Sequence, residues 1–87
     1  MISASCLTLS LLAEDIAETT NDELVLRELS THRTVHVRAC AAENIYTPAD
    51  VLTALSKDSK KPVLKAVFKN PAAPFRARFM AFIRCYG

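Results

Sequence analysis

Hydrophobic positions return along this chain at a fixed interval. Val25, Leu26, Leu29 and the Ser30 that follows recur as Val51, Leu52, Leu55 and Ser56. The match continues through Val37/Val63, Asn44/Asn70 and Pro48/Pro74, and the offset is 26 residues at every pair, with no gap. Within each copy the apolar residues fall three and four apart, the spacing that places them on one face of an α-helix. A period of this length marks a stacked array of small units, each burying its apolar face against its neighbours.

The pattern predicts five to six short helices. Ser3–Glu18 reads as the first, with Leu9, Leu12 and Ile16 on its buried face. Thr20-x-x-Glu23 has the form of a capping box and opens a second helix through Leu26 and Leu29 to about Ser30. The third covers Val35–Glu43, with Val37, Cys40 and Ala41 inward. Asn44 is expected to end it in the left-handed conformation, which Asn tolerates better than most residues. In the second copy Thr47 is the expected N-cap and Pro48 the first residue of a helix to Ser56. Pro62 then sits in the first turn of a helix with Val63, Ala66 and Val67 inward up to Asn70. After Pro71 and Pro74, a last helix runs from Phe75 to about Cys85. Isolated helices this short do not persist in water, where about 12–15 residues are marginal, so they must lean on one another.

Composition narrows the class. The 87 residues allow one domain, 1–87. Gly87 is the only glycine, whereas an all-β chain needs Gly-rich turns, so the fold is expected to be all-α. Cys6, Cys40 and Cys85 are odd in number, far apart and free of any Cys-x-x-Cys spacing. Neither a disulfide framework nor a thiolate metal knuckle is suggested, and a reducing setting fits. Ile2–Leu12 is apolar, but no Lys or Arg precedes it and Glu14 and Asp15 follow at once. It is also shorter than the about 20 residues of a membrane span. Neither a secretory signal nor a membrane contact is expected, and the reading is cytoplasmic.

The second copy reads Leu52-x-x-Leu55-x-x-Asp58, then Val63 and Val67, then Asn70-Pro71-Ala72-Ala73-Pro74. Over about residues 22–74 this pattern resembles the leucine-rich repeat variant family, and more broadly it is similar to HEAT-like short helical repeats. The first copy departs from it, with His32 in place of the acid and Ile45 in place of the proline. The resemblance implies paired helices, one of which can be 3₁₀, stacked as a right-handed α-solenoid. Copies at about 23–48 and 49–74 would then lie between an N-terminal helix 3–18 and a C-terminal helix 75–85. Some members of the family hold an iron–sulfur cluster through an N-terminal cysteine cluster. This chain has only Cys6 there, so no cofactor is implied. Repeats of this kind usually bind other molecules.

No nucleophile elbow, Gly-rich phosphate loop or His-Glu metal motif is present, and no enzyme activity is expected. His32, His36 and Cys40 are spaced by four and on one helix would share a face, a set that can hold a borderline metal or form a thiolate pair. His32, however, falls in a connection, Cys40 takes the place of inward Ala66, and a fourth ligand is missing. Surface histidines above a core cysteine, with no metal, is the expected arrangement.

Charge is more informative. Residues 1–56 carry −5 and residues 57–87 carry +7, so a chain of net +2 is a dipole. A basic half of this kind suits an acidic partner or phosphates. On the last helix Phe75, Phe79, Phe82 and Tyr86 form an aromatic stripe, flanked by Arg76 and Arg78 and widened by Met80 and Ile83. The plainest packing lays this stripe on the preceding repeat as a cap. Solenoid caps usually present a polar outer face, so the apolar excess would serve a partner or a second copy forming a homodimer through this helix. Aromatic and Arg side chains are the types enriched at interface hot spots. The expected function is a non-enzymatic protein-binding module, an adaptor or small inhibitor docking on a larger assembly with an acidic surface. The expected contact comprises Lys57, Lys60, Lys61, Lys65, Lys69, Phe75, Arg76, Arg78, Phe79, Phe82 and Arg84. The alternative is nucleic acid, its phosphates lying along the Lys/Arg face.

Overall fold

Short helices with one apolar face can only be stable against each other, and this chain meets that need by packing one α-helix against the next. The computed structural model describes residues 13–86, and every regular element among them is α-helical. The described part of α1 is 13–19. It is followed by α2 (Glu23–Ser30), α3 (Val35–Glu43), α4 (Ala49–Leu55), α5 (Lys61–Lys69) and α6 (Phe75–Tyr86). The starts of α2, α4 and α6 are 26 residues apart, as are those of α3 and α5. None of the described residues is 3₁₀, so both members of each pair are α.

The 26-residue frame extends to the hydrogen bonds. Ser30 Oγ donates to Arg27 O, and Ser56 Oγ to Thr53 O. The amide of His32 donates to Leu29 O and that of Asp58 to Leu55 O. At the next turn Asp58 Oδ1 accepts from the Lys60 amide at 2.9 Å, and His32 Nδ1 accepts from the Thr34 amide at 3.1 Å. The imidazole nitrogen therefore does the work of the carboxylate that the first copy lacks.

Asn44 and Asn70 form the internal joint. Asn44 Nδ2 donates to Ala17 O (2.8 Å) and Thr20 O (2.7 Å), while its Oδ1 accepts from the Tyr46 amide (2.8 Å). Asn70 Nδ2 donates to Ala42 O (2.7 Å) and Asn44 O (2.9 Å), and its Oδ1 accepts from the Ala72 amide (2.8 Å). Each asparagine thus satisfies carbonyls left open at the C-terminal end of the preceding unit, where a helix has no donors of its own. Both are buried, as their full complement of partners allows.

The larger apolar core joins Val51, Leu52 and Leu55 of α4, Val63, Leu64, Ala66 and Val67 of α5, and Ala77, Ala81 and Cys85 of α6. A smaller cluster of Ala17, Leu26 and Ala41 lies between α1, α2 and α3. Within this frame α5 is central, with α3 against one side and α6 against the other. The two halves of the charge dipole are also tied together. Arg38 Nε meets Asp58 Oδ2 at 2.8 Å, and its Nη1 donates to the carbonyls of His32 and Arg33. Within the acidic half, Arg27 of α2 pairs with Asp50 of α4 at 2.7 Å on the surface.

Four local expectations are corrected. The capping box is not formed: Asp22 is the N-cap of α2 and accepts from the Leu24 amide, while Thr20 Oγ1 accepts from the Asp22 amide. Asn44 is not left-handed but extended (φ −71°, ψ 125°), because its side chain reaches back to the preceding unit. Thr47 does not cap α4. It is buried and donates to Ala41 O, and Pro48 stands as the N-cap residue ahead of a helix that ends at Leu55. On α1, Ile16 is exposed and Ala17 takes the buried position; Leu9 and Leu12 lie outside the described residues.

Candidate functional site

Helix α6 is set by its small residues. Ala77, Ala81 and Cys85, four apart, form its buried line and let its backbone lie close to α5. The aromatic stripe consequently faces outward: Phe75 is 78% exposed, Phe79 55%, Phe82 44% and Tyr86 64%. The expectation that this stripe lies on the preceding repeat as a cap is overturned. Alanine needs less room than phenylalanine, and the alanines took the inner face.

The exposed rings are organised among themselves. Phe75 and Phe79 stack with centroids 6.1 Å apart and an interplanar angle of 15°. Phe82 lies 5.0 Å from Tyr86 and 5.3 Å from Phe68 of α5. Together Phe68, Phe75, Arg78, Phe79 and Phe82 line a groove of about 390 Å³ between α5 and α6. Arg78 is fixed at its edge. Its Nε donates to Phe68 O at 3.2 Å, and its guanidinium lies 5.9 Å from the centre of the Phe68 ring, within cation–π range.

Further cations stand on the two helices that form this groove. Lys61, Lys65 and Lys69, four apart, occupy the exposed side of α5, and Lys65 lies one turn before Phe68 on the same flank. Lys57 and Lys60 continue the charge through the connection before α5. Arg76 and Arg84 are exposed on the flank of α6 away from Arg78, so they do not line the groove. Among the described residues none of these eight cations is ion-paired. The one acid of this half, Asp58, is already taken by Arg38. The face therefore combines open apolar surface with uncompensated positive charge.

Of the sequence-predicted residues, the structure brings Phe75, Arg78, Phe79 and Phe82 together, and leaves Arg76 and Arg84 on another flank of α6 and the lysines along α5 and the connection before it. Phe68 was missed. Its signal was present, since it is the one aromatic on α5 and sits where the first copy has Ala42, so it adds a wall that copy does not possess. His32, His36 and Cys40 do not converge. His32 Nδ1 is engaged by the Thr34 amide and His36 is exposed. Cys40 Sγ donates to Glu18 Oε1 at 3.6 Å, and burial together with the Glu18 carboxylate pushes its pKa up to about 11. Such a thiol is not a nucleophile near neutral pH. Among the described residues no three His, Cys, Asp or Glu side chains are grouped to hold a metal ion, and no helix is long and apolar enough to cross a membrane.

Comparison with family models, with curated proteins and with solved structures finds no match for this chain.

Proposed function

We propose that this chain is a short right-handed α-solenoid of the leucine-rich repeat variant or HEAT-like kind, working as a non-enzymatic protein-binding module. The recurrence of helix starts and of asparagine hydrogen bonds at 26 residues supports the repeat reading, as does the elongated 43 × 27 × 15 Å extent. Free thiols at Cys40 and Cys85 support a reducing, cytoplasmic setting.

One observation carries the function: four exposed aromatic rings on α6 stand with cations of α5 and α6 that no acid pairs with. A contiguous apolar patch rimmed by polar groups marks an interaction surface, and the charge selects an acidic partner protein, as an adaptor or a small docking inhibitor requires. The test compares wild type with the triple variant Lys61→Glu, Lys65→Glu, Arg76→Glu. A partner enriched on wild type and then purified should lose about tenfold or more in affinity for the variant, with helical circular dichroism unchanged. Equal affinity for both proteins refutes the reading.

The stacked Phe75–Phe79 pair among cations favours one second reading, a single-stranded nucleic acid with bases on the rings and phosphates on the lysines. Titration of a fluorescent mixed-sequence oligonucleotide at two salt concentrations separates the two. Tight binding that falls steeply with salt supports nucleic acid, and no binding leaves the acidic protein.

A further inference from the structure

The 26-residue frame identifies what the aromatic groove is shaped to receive. In that frame Arg78 stands where Leu26 and Leu52 stand, and Phe82 where Ser30 and Ser56 stand. Leu26 and Leu52 are fully buried, and Ser56 is nearly so, whereas Arg78 and Phe82 are exposed. The companion positions Ala77 and Ala81, equivalent to Val51 and Leu55, stay buried because α5 and α4 cover them. One half of the inner face of α6 is thus covered as in the preceding copy, and the other half is open. In the preceding copy, α5 follows α4 and joins Leu52 in one core. The Arg78 and Phe82 side of the groove therefore corresponds to a face that a helix covers in the preceding copy, whereas the equivalents of Phe75 and Phe79, Ala49 and Thr53, are exposed there.

The main chain gives the same indication. Ala42 O is taken by the amide of Asn70, and its equivalent 26 residues on is Phe68 O. Here Arg78 Nε occupies that carbonyl, so the polar joint is closed while the apolar seat beside it stays open. The segment equivalent to the polar connection Ser56–Lys60 is Phe82–Tyr86, which continues α6 as helix and buries Cys85.

We infer that this groove is a docking seat for an amphipathic α-helix of a partner protein, with apolar side chains entering among Phe68, Phe79 and Phe82 and acidic residues flanking them to meet Arg78 and Lys65. The acid preference follows from charge, since Arg78 lines the groove, exposed Lys65 lies one helical turn before Phe68, and no carboxylate pairs with either. The helical form follows from Leu26 and Leu52, the equivalents of Arg78, each of which packs against a following helix. This mode of recognition uses anchors at i, i+3, i+4 and i+7 laid into an apolar groove. The inference rests on the protein-binding reading above and specifies how that partner is held.

Three fluorescent synthetic peptides test it, each of about 18 residues so that a helix can form. The first has leucines at i, i+3, i+4 and i+7 flanked by glutamates; the second is a scramble of the same composition with no apolar face; the third replaces the glutamates by lysines. The acidic amphipathic peptide should bind the full chain in the micromolar range, the other two about tenfold or more weakly. Phe82→Ser, which installs the residue of the equivalent positions, should remove about tenfold or more of that affinity with circular dichroism unchanged. Arg78→Glu should weaken the acidic peptide and improve the lysine one. Equal binding of the scramble overturns the helix seat while leaving an acidic partner in place. Failure of both acidic peptides to bind overturns both. Displacement of the peptide by an oligonucleotide that binds more tightly, or self-association abolished by Phe82→Ser when no peptide binds, assigns the groove to nucleic acid or to a second copy and overturns the inference.

Discussion

Replacing Asn70 by alanine should be among the most damaging single changes in this protein. The side chain is 2% exposed and makes three hydrogen bonds, two donated to Ala42 O and Asn44 O and one accepted from the Ala72 amide. Asn44 O keeps a second donor in the Thr47 amide, and the Ala72 amide lies nearer the surface. Ala42 O is left buried without that donor, a cost of about 1–3 kcal/mol, and the other two lost bonds add about 0.5–1.5 kcal/mol each. The total is about 2–6 kcal/mol. An 87-residue chain has about 4–13 kcal/mol to lose. At the centre of that range the midpoint of thermal unfolding should fall by about 15–30 °C. Asn44→Ala removes the same three kinds of bond, but two of them lie in a partly buried site, so its effect should be smaller. Asn70→Asp keeps the shape and the acceptor yet turns an oxygen toward two carbonyls, and should cost at least as much as alanine. Urea denaturation followed by circular dichroism measures all three. An Asn70→Ala protein within about 1 kcal/mol of wild type, or one more stable than Asn44→Ala, would refute the reasoning.

Three further outcomes follow from particular contacts. His32→Asp should be tolerated, because it restores the carboxylate that Asp58 uses at the equivalent turn, whereas His32→Ala should lose about 1 kcal/mol in the urea midpoint analysis. The Cys40 thiol, held up to about 11 by burial and Glu18, should alkylate at pH 8 about 100-fold more slowly than a cysteine at its ordinary 9.0, as read by peptide mass mapping. The hydrogen bond from Arg27 holds the Asp50 carboxyl below its ordinary 3.8, so this pair supports the fold in full above that value and loses its support as pH falls through the lower folded one. Wild type and Asp50→Asn should therefore differ in thermal midpoint near neutral pH and converge well below pH 3.8.

The periodic apolar positions made most of the helices legible. Val35–Glu43 was read at both ends, and Phe75 was read as the start of α6, because spacing and proline carry that information locally. What the sequence did not disclose was non-local. Asn44 and Thr47 have short polar side chains suited to ending or starting a helix, and a window of neighbours gives them that role. The Asn44 partner, Ala17 O, lies in the preceding helix and is met only once the chain is packed, and the Thr47 partner, Ala41 O, is met only once the chain turns back on the end of α3. The aromatic stripe failed for a related reason. Both the Phe75–Phe79–Phe82 line and the Ala77–Ala81–Cys85 line have helical spacing, and hydrophobicity alone favours the larger side chains as core. The close approach of α5 decided for the smaller ones. At the candidate face, charge and aromatic content were legible in order, but the participation of Phe68 required knowing which flank of α5 meets α6.

The asparagine joints carry one more implication. Each amide recognises carbonyl oxygens, which every residue type presents alike, and none of its hydrogen bonds depends on the side chain at the neighbouring position. A joint of this sort is indifferent to the identity of what it joins. Substitutions on the outer surface of one unit then leave this seam with the next intact, and the matching of particular side chains between units falls to the Arg27–Asp50 and Arg38–Asp58 pairs instead. Two copies as divergent as Glu23–Pro48 and Ala49–Pro74 can share a register for that reason. Their surfaces are free to drift in charge, to net 0 in the first copy and +3 in the second, while the spine that holds them stays the same.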